Sequence, residues 1–443
     1  MTSAGGNTDV FTKGKRMRRT SSRLVIATAF LATISLGALA ACSSGGSGDT
    51  KSGGPITLTL NDWGQFGLEA VATKYHAQNP NITIQINNGD YAQQHQNLQK
   101  FLVAGSGAPD IAMSDEGYIV QFRGQADKFV NLASLGAGDY KKNFLDWKWQ
   151  QSLTADGKTQ FAIGDDVGGL AMCYRRDLFQ AAGLPSDRAA VSALWPTWND
   201  FIKVGKQYVQ GSGGKKFVDA GVSIFNPVLG QQKVGYFDEH EKLLMDGGPK
   251  VAWNTATQVI DNKLSANLPY QGPEWNAAMK NGDFAVLACP SWMMGYIQGQ
   301  APNTSGQWDI ADIPGGGGNW GGSFFMIPKQ GKHADEAWKF IKFAIAPEQQ
   351  ISVFREVGLL PAQPSLYDDP ALKGFKSPFF NNAPVGEIFT TSALNLKPQY
   401  LGKKSGTVRT AVENVLTQVQ QGKLNATDGW AEAVKAGKKA AEG

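Results

Sequence analysis

Residues 161–179, FAIGDDVGGLAMCYRRDLF, contain the pattern that decides the fold. Phe161–Ile163 predicts the end of one strand, and Leu170–Tyr174 predicts the start of a second, buried strand. Between them lie the carboxylates Asp165-Asp166 and the pair Gly168-Gly169, whose backbone is free to bend. Carboxylates beside glycines, between two apolar strands, are typical of a hinge at the mouth of a cleft. We therefore expect two halves of the chain to meet here around a ligand.

The whole chain has 443 residues, which predicts two or three domains with ample core for each. Its twelve tryptophans are many for a chain with 18% charged residues. Such a content indicates either large cores or aromatic binding surfaces.

The N-terminal segment has the features of an export signal. Six basic residues precede an uncharged, mostly apolar run of 18 residues, Leu24–Ala41. This pattern predicts a signal peptide over residues 1–41. The sequence LAAC resembles a bacterial lipobox, in which Cys42 becomes the acylated first residue, followed by a flexible Gly/Ser-rich tether over residues 42–54. The alternative is an uncleaved membrane anchor. Either reading places the folded part outside the cytoplasmic membrane.

Charge and histidine content exclude two classes of partner. Removal of residues 1–41 takes away six positive charges and one negative charge, so the formal net charge of +4 becomes −1. The mature chain therefore lacks the basic surface that nucleic acid requires. The histidines, His76, His95, His240 and His333, are scattered and form no metal-binding motif, so we predict no metal site and no cofactor.

Two cysteines remain after Cys42. Cys173 and Cys289 both lie in apolar, strand-like runs. In an exported protein they could form a disulfide, and two buried free thiols are the alternative. The sequence leaves this open.

Strands and helices alternate through the first part of the chain. ITLTL at residues 56–60 predicts a strand, a helix follows, and Ile82, Ile84 and Ile86 alternate along a second strand. Such a unit predicts parallel pairing with a right-handed crossover. A third strand follows at residues 109–113. We expect an open α/β lobe that binds its ligand beyond the carboxyl ends of the strands.

The predicted strand ends carry acidic and aromatic residues. The first strand leads to Asp62-Trp63, the third to Asp115-Glu116, and the hinge stretch to Asp165-Asp166. Carboxylates accept hydrogen bonds from hydroxyl groups, and a tryptophan face covers the C–H face of a sugar ring. The pattern thus favours a polyhydroxylated ligand.

The second part of the chain is also mixed. Thr197 predicts an N-cap for a helix that packs Trp198 in the core. Val222–Phe225 predicts a strand, as do Phe284–Ala288 and Phe324–Ile327, and the last third of the chain is predicted to be helical.

Taken together, these pieces resemble the extracellular solute-binding proteins of carbohydrate ABC transporters, the class of the maltose-binding protein. The matching stretches span nearly all of the mature chain and occur in the family's order; they are LAAC, ITLTLNDWG, APDI, the hinge stretch, WPTWNDF, NGDFAVLACPSW, GNWGGSFFMIPKQGKHADEAWKFIKF, APEQQISVF and GLLPAQ. Within the class, GGGGNWGGSFFMIPKQ looks most like cellobiose- and cello-oligosaccharide-binding lipoproteins.

The resemblance implies an α/β, two-lobe periplasmic-binding-protein-like fold (class II), in which open α/β sheets are joined by a three-crossing hinge. It places the N-terminal lobe at residues 55–165 plus 326–375 and the C-terminal lobe at residues 166–325 plus 376–443. It also implies an oligosaccharide ligand, ABC permease subunits with a separate ATPase chain, a lipid anchor on Cys42, and a monomer.

The resemblance also assigns ligand-binding residues. By position in the family's motifs these are Trp63, Glu116, Asp165, Asp166, Trp292, Trp320, Ser323 and Arg355. The tryptophans would stack on sugar, the acids would accept from hydroxyl groups, and Arg355 would bring a polar contact from before the GLLP loop.

Other functions remain as alternatives. Paired carboxylates are what a secreted glycoside hydrolase needs. A binder of peptides, siderophores or phosphate is a third class, although phosphate favours basic clusters and helix N-termini over an acidic, aromatic rim. The run Gly316-x-Gly318-x-x-Gly321 matches a dinucleotide fingerprint but lacks the helix that must follow it.

Overall fold

A computed structural model describes residues 54–442. The predicted signal peptide, the predicted acylation site at Cys42 and nearly all of the predicted tether lie outside the described residues. No helix within residues 54–442 combines the length and the apolar character needed to cross a membrane.

The first part of the chain alternates strands and helices, as its sequence pattern predicts. Its elements are β1 (Ile56–Trp63), α1 (Leu68–Gln78), β2 (Ile82–Gly89), α2 (Tyr91–Ala104), β3 (Ile111–Asp115), α3 (Glu116–Arg123), α4 (Asp146–Gln151) and β4 (Ile163–Gly164). The Asp90 side chain caps α2 by accepting from the Gln93 N–H at 2.9 Å, and Gly105 ends this helix in a left-handed conformation.

These strands form a five-stranded sheet in the order β2-β1-β3-β10-β4, where β10 (Ser323–Met326) comes from much later in the chain. Strand β1 lies parallel to β2 and β3, whereas β10 is antiparallel to β3 and β4. We call the part built on this sheet the first lobe. The carboxyl ends of β1 and β3 meet at one edge, where Trp63 and Asp115 end their strands.

A second lobe follows the hinge stretch. Its elements are β5 (Asp166–Val167), β6 (Leu170–Arg175), α5 (Arg176–Ala181), α6 (Arg188–Leu194), α7 (Trp198–Gly211), β7 (Lys216–Val218), α8 (Val222–Gly230), α9 (Gly248–Asp261), α10 (Pro273–Asn281), β8 (Phe284–Pro290), α11 (Met293–Gln300) and β9 (Trp308–Ala311). Its sheet has the order β7-β8-β6-β9, with β6 antiparallel to both of its neighbours.

The C-terminal part is helical around one short strand. It comprises α12 (Ala334–Ala344), α13 (Pro347–Val357), β11 (Leu360–Pro361), α14 (Pro370–Lys373), α15 (Val385–Leu394), α16 (Ser405–Gln420) and α17 (Ala426–Glu442). Val408, Val412 and Leu416 of α16 are fully buried in the core of the second lobe. A separate, larger core runs from the first sheet through α11, α12 and α13.

The chain passes between the two sheets close to the predicted hinge. Strand β5 pairs with β11, and Gly169 pairs with Asn319 in the return segment before β10. A Cβ atom on Gly168 would overlap the carbonyl oxygen of Trp320, so two of the passing segments approach too closely for a side chain. Gly168 therefore allows these two segments to pack closely.

One predicted strand is wrong. Val222–Phe225 begins the helix α8, in which residues 223–229 are all buried. A helix that is buried all round shows no amphipathic period, so a short apolar run of this kind resembles a buried strand.

The structure shows a disulfide between the two cysteines whose pairing the sequence left undecided. Cys173 of β6 and Cys289 of β8 form a disulfide within the second sheet. Both residues are fully buried.

Candidate functional site

A cavity with an empty volume of about 810 Å³, part of it open to solvent, lies between residues of both lobes. The first lobe contributes Glu116, Gly117 and Trp147 to its lining. The second lobe contributes the end of α8, the start of α16 and the intervening residues 396–401, and Trp320 lies in the segment between the two sheets.

Glu116 is the acid of this cavity. It begins α3 directly after β3, which places its carboxylate at the carboxyl edge of the first sheet. Its oxygens accept from Gln151 Nε2 at 2.8 Å and from Asn319 Nδ2. Burial raises the pKa of Glu116, and the positive charge of Lys148 opposes that rise. The two amides hold the carboxylate in place, and each of its oxygens can accept a further hydrogen bond.

Trp320 is one of two tryptophans, with Trp147, that line the cavity. Its ring stacks on Tyr270 with centroids 5.5 Å apart and an interplanar angle of 25°. Trp292 lies edge-on at 6.0 Å and donates from Nε1 to the carbonyl oxygen of Trp320 at 2.9 Å. Trp292 does not line the cavity defined here; its hydrogen bond holds the backbone of Trp320.

Three polar residues of the second lobe line the same cavity and were not predicted from the sequence. The Asn226 amide donates to Glu413 Oε1 at 2.8 Å, which leaves its own oxygen as an acceptor. The Tyr236 hydroxyl and the Arg409 Nε are buried and have no hydrogen-bond partner within residues 54–442. Buried polar groups of this kind are normally paired, so these two atoms are exceptions in residues that line the cavity.

Trp63 lies next to the cavity in an aromatic cluster. Its ring is 5.1 Å from Phe66, 5.7 Å from Tyr91 and 4.5 Å from His95. It is half-buried at the end of β1 and is not part of the cavity lining.

The acids Asp165 and Asp166 lie in the hinge, behind the cavity. Asp166 Oδ1 accepts from the Ser323 N–H at 2.7 Å and from its hydroxyl at 2.6 Å, while Asp165 Oδ1 accepts from Gln350 Nε2 at 2.8 Å. Burial raises the pKa of both carboxyls, that of Asp165 to about 7 with a further contribution from Asp166. All three predicted residues, the two acids and Ser323, are buried and bind one another.

Lys148 is the cation of this hinge. The residue is fully buried, and its Nζ lies 3.8 Å from the centroid of the Phe324 ring. Burial lowers the pKa of Lys148, while Glu116 and Asp166 raise it. Lys148 therefore interacts electrostatically with Glu116 in the cavity and with the carboxylates of the hinge.

Arg355 is not brought to the cavity. It lies exposed in the last turn of α13, with its guanidinium 5.3 Å from the Phe375 ring centroid. The helix orientation directs the side chain to the outer surface, because the inward face of α13 is occupied by Val353 and Phe354.

The residues that the sequence predicted for the site therefore do not all line one cavity. Glu116 and Trp320 line one cavity, Trp63 and Trp292 flank it, and the hinge residues lie behind it. Trp147, Asn226, Tyr236 and Arg409 carried no sequence signal, because they belong to helices or loops and not to strand ends. Among the residues that the structure describes, no group of three or more His, Cys, Asp or Glu side chains is arranged to hold a metal ion.

Comparison with known proteins agrees with this architecture. The family described as bacterial extracellular solute-binding protein matches residues 62–351. The arabinooligosaccharide-binding protein of Bacillus subtilis (strain 168) is 28% identical over 351 residues, which is 75% of this chain and 78% of that protein. An arabinooligosaccharide-binding protein of Halalkalibacterium halodurans is 24% identical over 64% of this chain and 65% of its own length.

Solved structures share the fold. One described as extracellular solute-binding protein family 1 is 36% identical, covers 87% of this chain and 100% of its own, and superposes with a TM-score of 0.76. The galacto-N-biose-/lacto-N-biose I-binding protein of the ABC transporter from Bifidobacterium longum is 18% identical, with a TM-score of 0.71 over 88% of this chain and 98% of its own. Its likeness concerns the two-lobe fold alone. The chain belongs to the family of bacterial extracellular solute-binding proteins.

Proposed function

We propose that this protein is the extracytoplasmic receptor of a carbohydrate ABC importer, and that it captures an oligosaccharide in the cavity between its lobes. The observation that carries the proposal is that Trp320 and Glu116 line one cavity together with Asn226, Tyr236 and Arg409. Trp320 offers an aromatic face for a sugar ring, and Glu116 offers an acceptor for its hydroxyl groups.

The second lobe supplies the complementary groups. Tyr236 and Arg409 can donate to sugar oxygens, and the free amide oxygen of Asn226 can accept. Sugar hydroxyl groups both donate and accept hydrogen bonds. An acceptor on one lobe and donors on the other therefore suit such a ligand. Trp63 and Trp292 flank this contact surface, while Asp165, Asp166 and Ser323 serve the hinge. Arg355 has no place in the proposed site.

The cavity favours binding over hydrolysis. A glycoside hydrolase places two carboxyl groups across the scissile bond. Of the described residues that line the cavity, Glu116 is the one acid. Asp165 and Asp166 have their oxygens engaged by Ser323 and Gln350. Reversible capture without chemistry is the function that this arrangement supports.

Two sugar classes follow from different observations. The GGGGNWGGSFFMIPKQ stretch favours cellobiose or cello-oligosaccharides. The names of the curated relatives favour arabino-oligosaccharides. We propose an oligosaccharide as the ligand, with cello-oligosaccharides as the first candidate and arabino-oligosaccharides as the second.

The proposal includes location and partners. Export through the signal over residues 1–41 and acylation of Cys42 would anchor the protein at the outer face of the cell membrane. The bound sugar would pass to ABC permease subunits, which are driven by a separate ATPase chain. We expect the receptor to act as a monomer.

A ligand screen tests the proposal. The mature protein is heated with cello-oligosaccharides, arabino-oligosaccharides, their monosaccharides and inorganic phosphate in turn. One oligosaccharide series should raise the melting temperature by several degrees, because a ligand at about 100 times its Kd adds about 2.7 kcal/mol of stability. Stabilisation by phosphate alone, or by none of the sugars, would contradict the proposal.

A further inference from the structure

The start of α16 in the second lobe lies directly against the start of α3 in the first lobe. A Cβ atom on Gly406 would lie 2.6 Å from the carbonyl oxygen of Gly117, so the two helix ends touch at a point without side chains. Both glycines line the cavity. The contact therefore closes one side of the cavity at the boundary between the lobes.

A chain of hydrogen bonds crosses this boundary. Arg409 of α16 donates from Nη2 to the Tyr91 hydroxyl at 3.2 Å. The Tyr91 hydroxyl in turn donates to Asp115 Oδ1 at 2.8 Å, and the same oxygen accepts from the Gly117 N–H at 2.7 Å. The chain thus connects an arginine of the second lobe with a carboxylate at the end of β3.

Each end of this chain is fixed within its own lobe. Tyr91 packs on Trp63 and on His95, whose ring Nε2 accepts from the Asp115 N–H at 2.9 Å. Arg409 follows the buried Val408, which packs in the second-lobe core, and its Nε is 3.9 Å from Glu413 Oε1. A bond between two rigid bodies forms only when those bodies are in one relative position.

We propose that the Arg409–Tyr91–Asp115 chain is an interlobe latch that holds the closed form, and that Arg409 is its positioning residue. The inference rests on the proposed function in that the molecule held by the latch is the captured sugar. Arg409 also lines the cavity, so ligand contact and closure act on the same side chain. A latch of this kind slows release, and it leaves entry nearly unchanged as long as the ligand-free protein is mostly open.

Two variants test the latch. Tyr91→Phe removes the hydroxyl and keeps the ring, and Arg409→Lys keeps the charge but shortens the reach. The matched control is Tyr118→Phe, because Tyr118 lies in the same aromatic cluster and its hydroxyl makes no hydrogen bond within the described part of the chain. The distance between lobes is read by energy transfer between dyes on Val103→Cys and Lys215→Cys, in a Cys42→Ser background.

The ligand-free measurement decides the proposal. Tyr91→Phe and Arg409→Lys should each lower the closed fraction by about three- to tenfold, which corresponds to one lost hydrogen bond. The double variant should lower it no further than the stronger single variant, because both changes break one chain. The control should match the unsubstituted protein, and the melting temperature of each variant should stay within a few degrees. An unchanged closed fraction in Tyr91→Phe, or additive effects in the double variant, would overturn the latch.

A kinetic measurement extends the test to the ligand. With the oligosaccharide found by the screen, Tyr91→Phe should release sugar about three- to tenfold faster while the association rate stays the same. If Tyr91→Phe changed the association rate as much as the release rate, Tyr91 would act in ligand entry, and this result would overturn the latch. A wild-type protein that binds no sugar would overturn the proposed function, while the dye measurement would still decide the latch.

Discussion

Three buried carboxyl groups have pKa values close to neutral pH. Burial raises the pKa of Asp62 to about 6, of Asp165 to about 7 and of Asp219 to about 6. Each group binds its proton more tightly in the folded chain than in the unfolded chain, where its ordinary value is 3.8. Folding is therefore favoured at low pH, and this contribution falls as the pH rises from about 4 to about 7.

Asp165→Asn tests this pH dependence. The amide oxygen can still accept from Gln350, but no charge has to be buried at high pH. We expect the variant to be more stable than the wild type by about 2 kcal/mol at pH 8, and we expect the difference to shrink at pH 5. Urea unfolding at the two pH values measures it. The exposed Asp139→Asn serves as the control, and an equal difference at both pH values for Asp165→Asn would contradict the pKa assignment.

The residues that could be predicted are those with a local signal. Glu116 and Trp320 follow from a strand end and from a family motif, and both line the cavity. Tyr236 and Arg409 could not be predicted, because Tyr236 lies in a loop and Arg409 in the long helix α16. The packing of α16 in the second-lobe core and against the start of α3 gives Arg409 its position.

At the level of elements, the disulfide connects β6 with β8 across 116 residues of sequence. Closing so long a loop restricts the unfolded chain, which stabilises the folded one. The double variant Cys173→Ala/Cys289→Ala should lose about 2–4 kcal/mol of unfolding free energy in the absence of reductant.

Sugar affinity of the same variant, measured well below its melting temperature, should not change, because neither cysteine lines the cavity. A variant as stable as the wild type in non-reducing urea titrations would show that the bond contributes nothing to folding.

Elements with a clear period or cap were predictable. Thr197 caps α7 by accepting from the Asp200 N–H at 3.2 Å, and Trp198 packs on Phe201, both as the sequence indicates. The helix α8 was not predictable, because its buried apolar run has the composition of a strand and because Pro227 lies inside it. Tertiary packing decides between the two structures for such a segment.

At the level of the whole molecule, alternating strands and helices predicted an α/β lobe, and residues 161–179 predicted a hinge. The family resemblance implied the two-lobe fold. The contact between the lobes was not predictable, since it joins α2 and α3 to a helix more than 280 residues later. The lobe boundaries of 55–165 plus 326–375 and 166–325 plus 376–443 remain a prediction. The distribution of strands shows only that β10 returns to the first sheet.

The central claim is that the cavity between the lobes binds an oligosaccharide through Trp320 and leaves it intact. Calorimetric titration of the wild type, Trp320→Ala and Trp430→Ala with one oligosaccharide, followed by chromatography of the recovered sugar, tests it most directly. Trp430 is the matched control, because it is a half-buried tryptophan that packs on Trp253 and lies outside the cavity lining. The account predicts saturable binding at one site with intact sugar, about thirtyfold weaker binding for Trp320→Ala, and unchanged binding for Trp430→Ala. Cleaved sugar, or equal affinity for Trp320→Ala and the wild type, would contradict it.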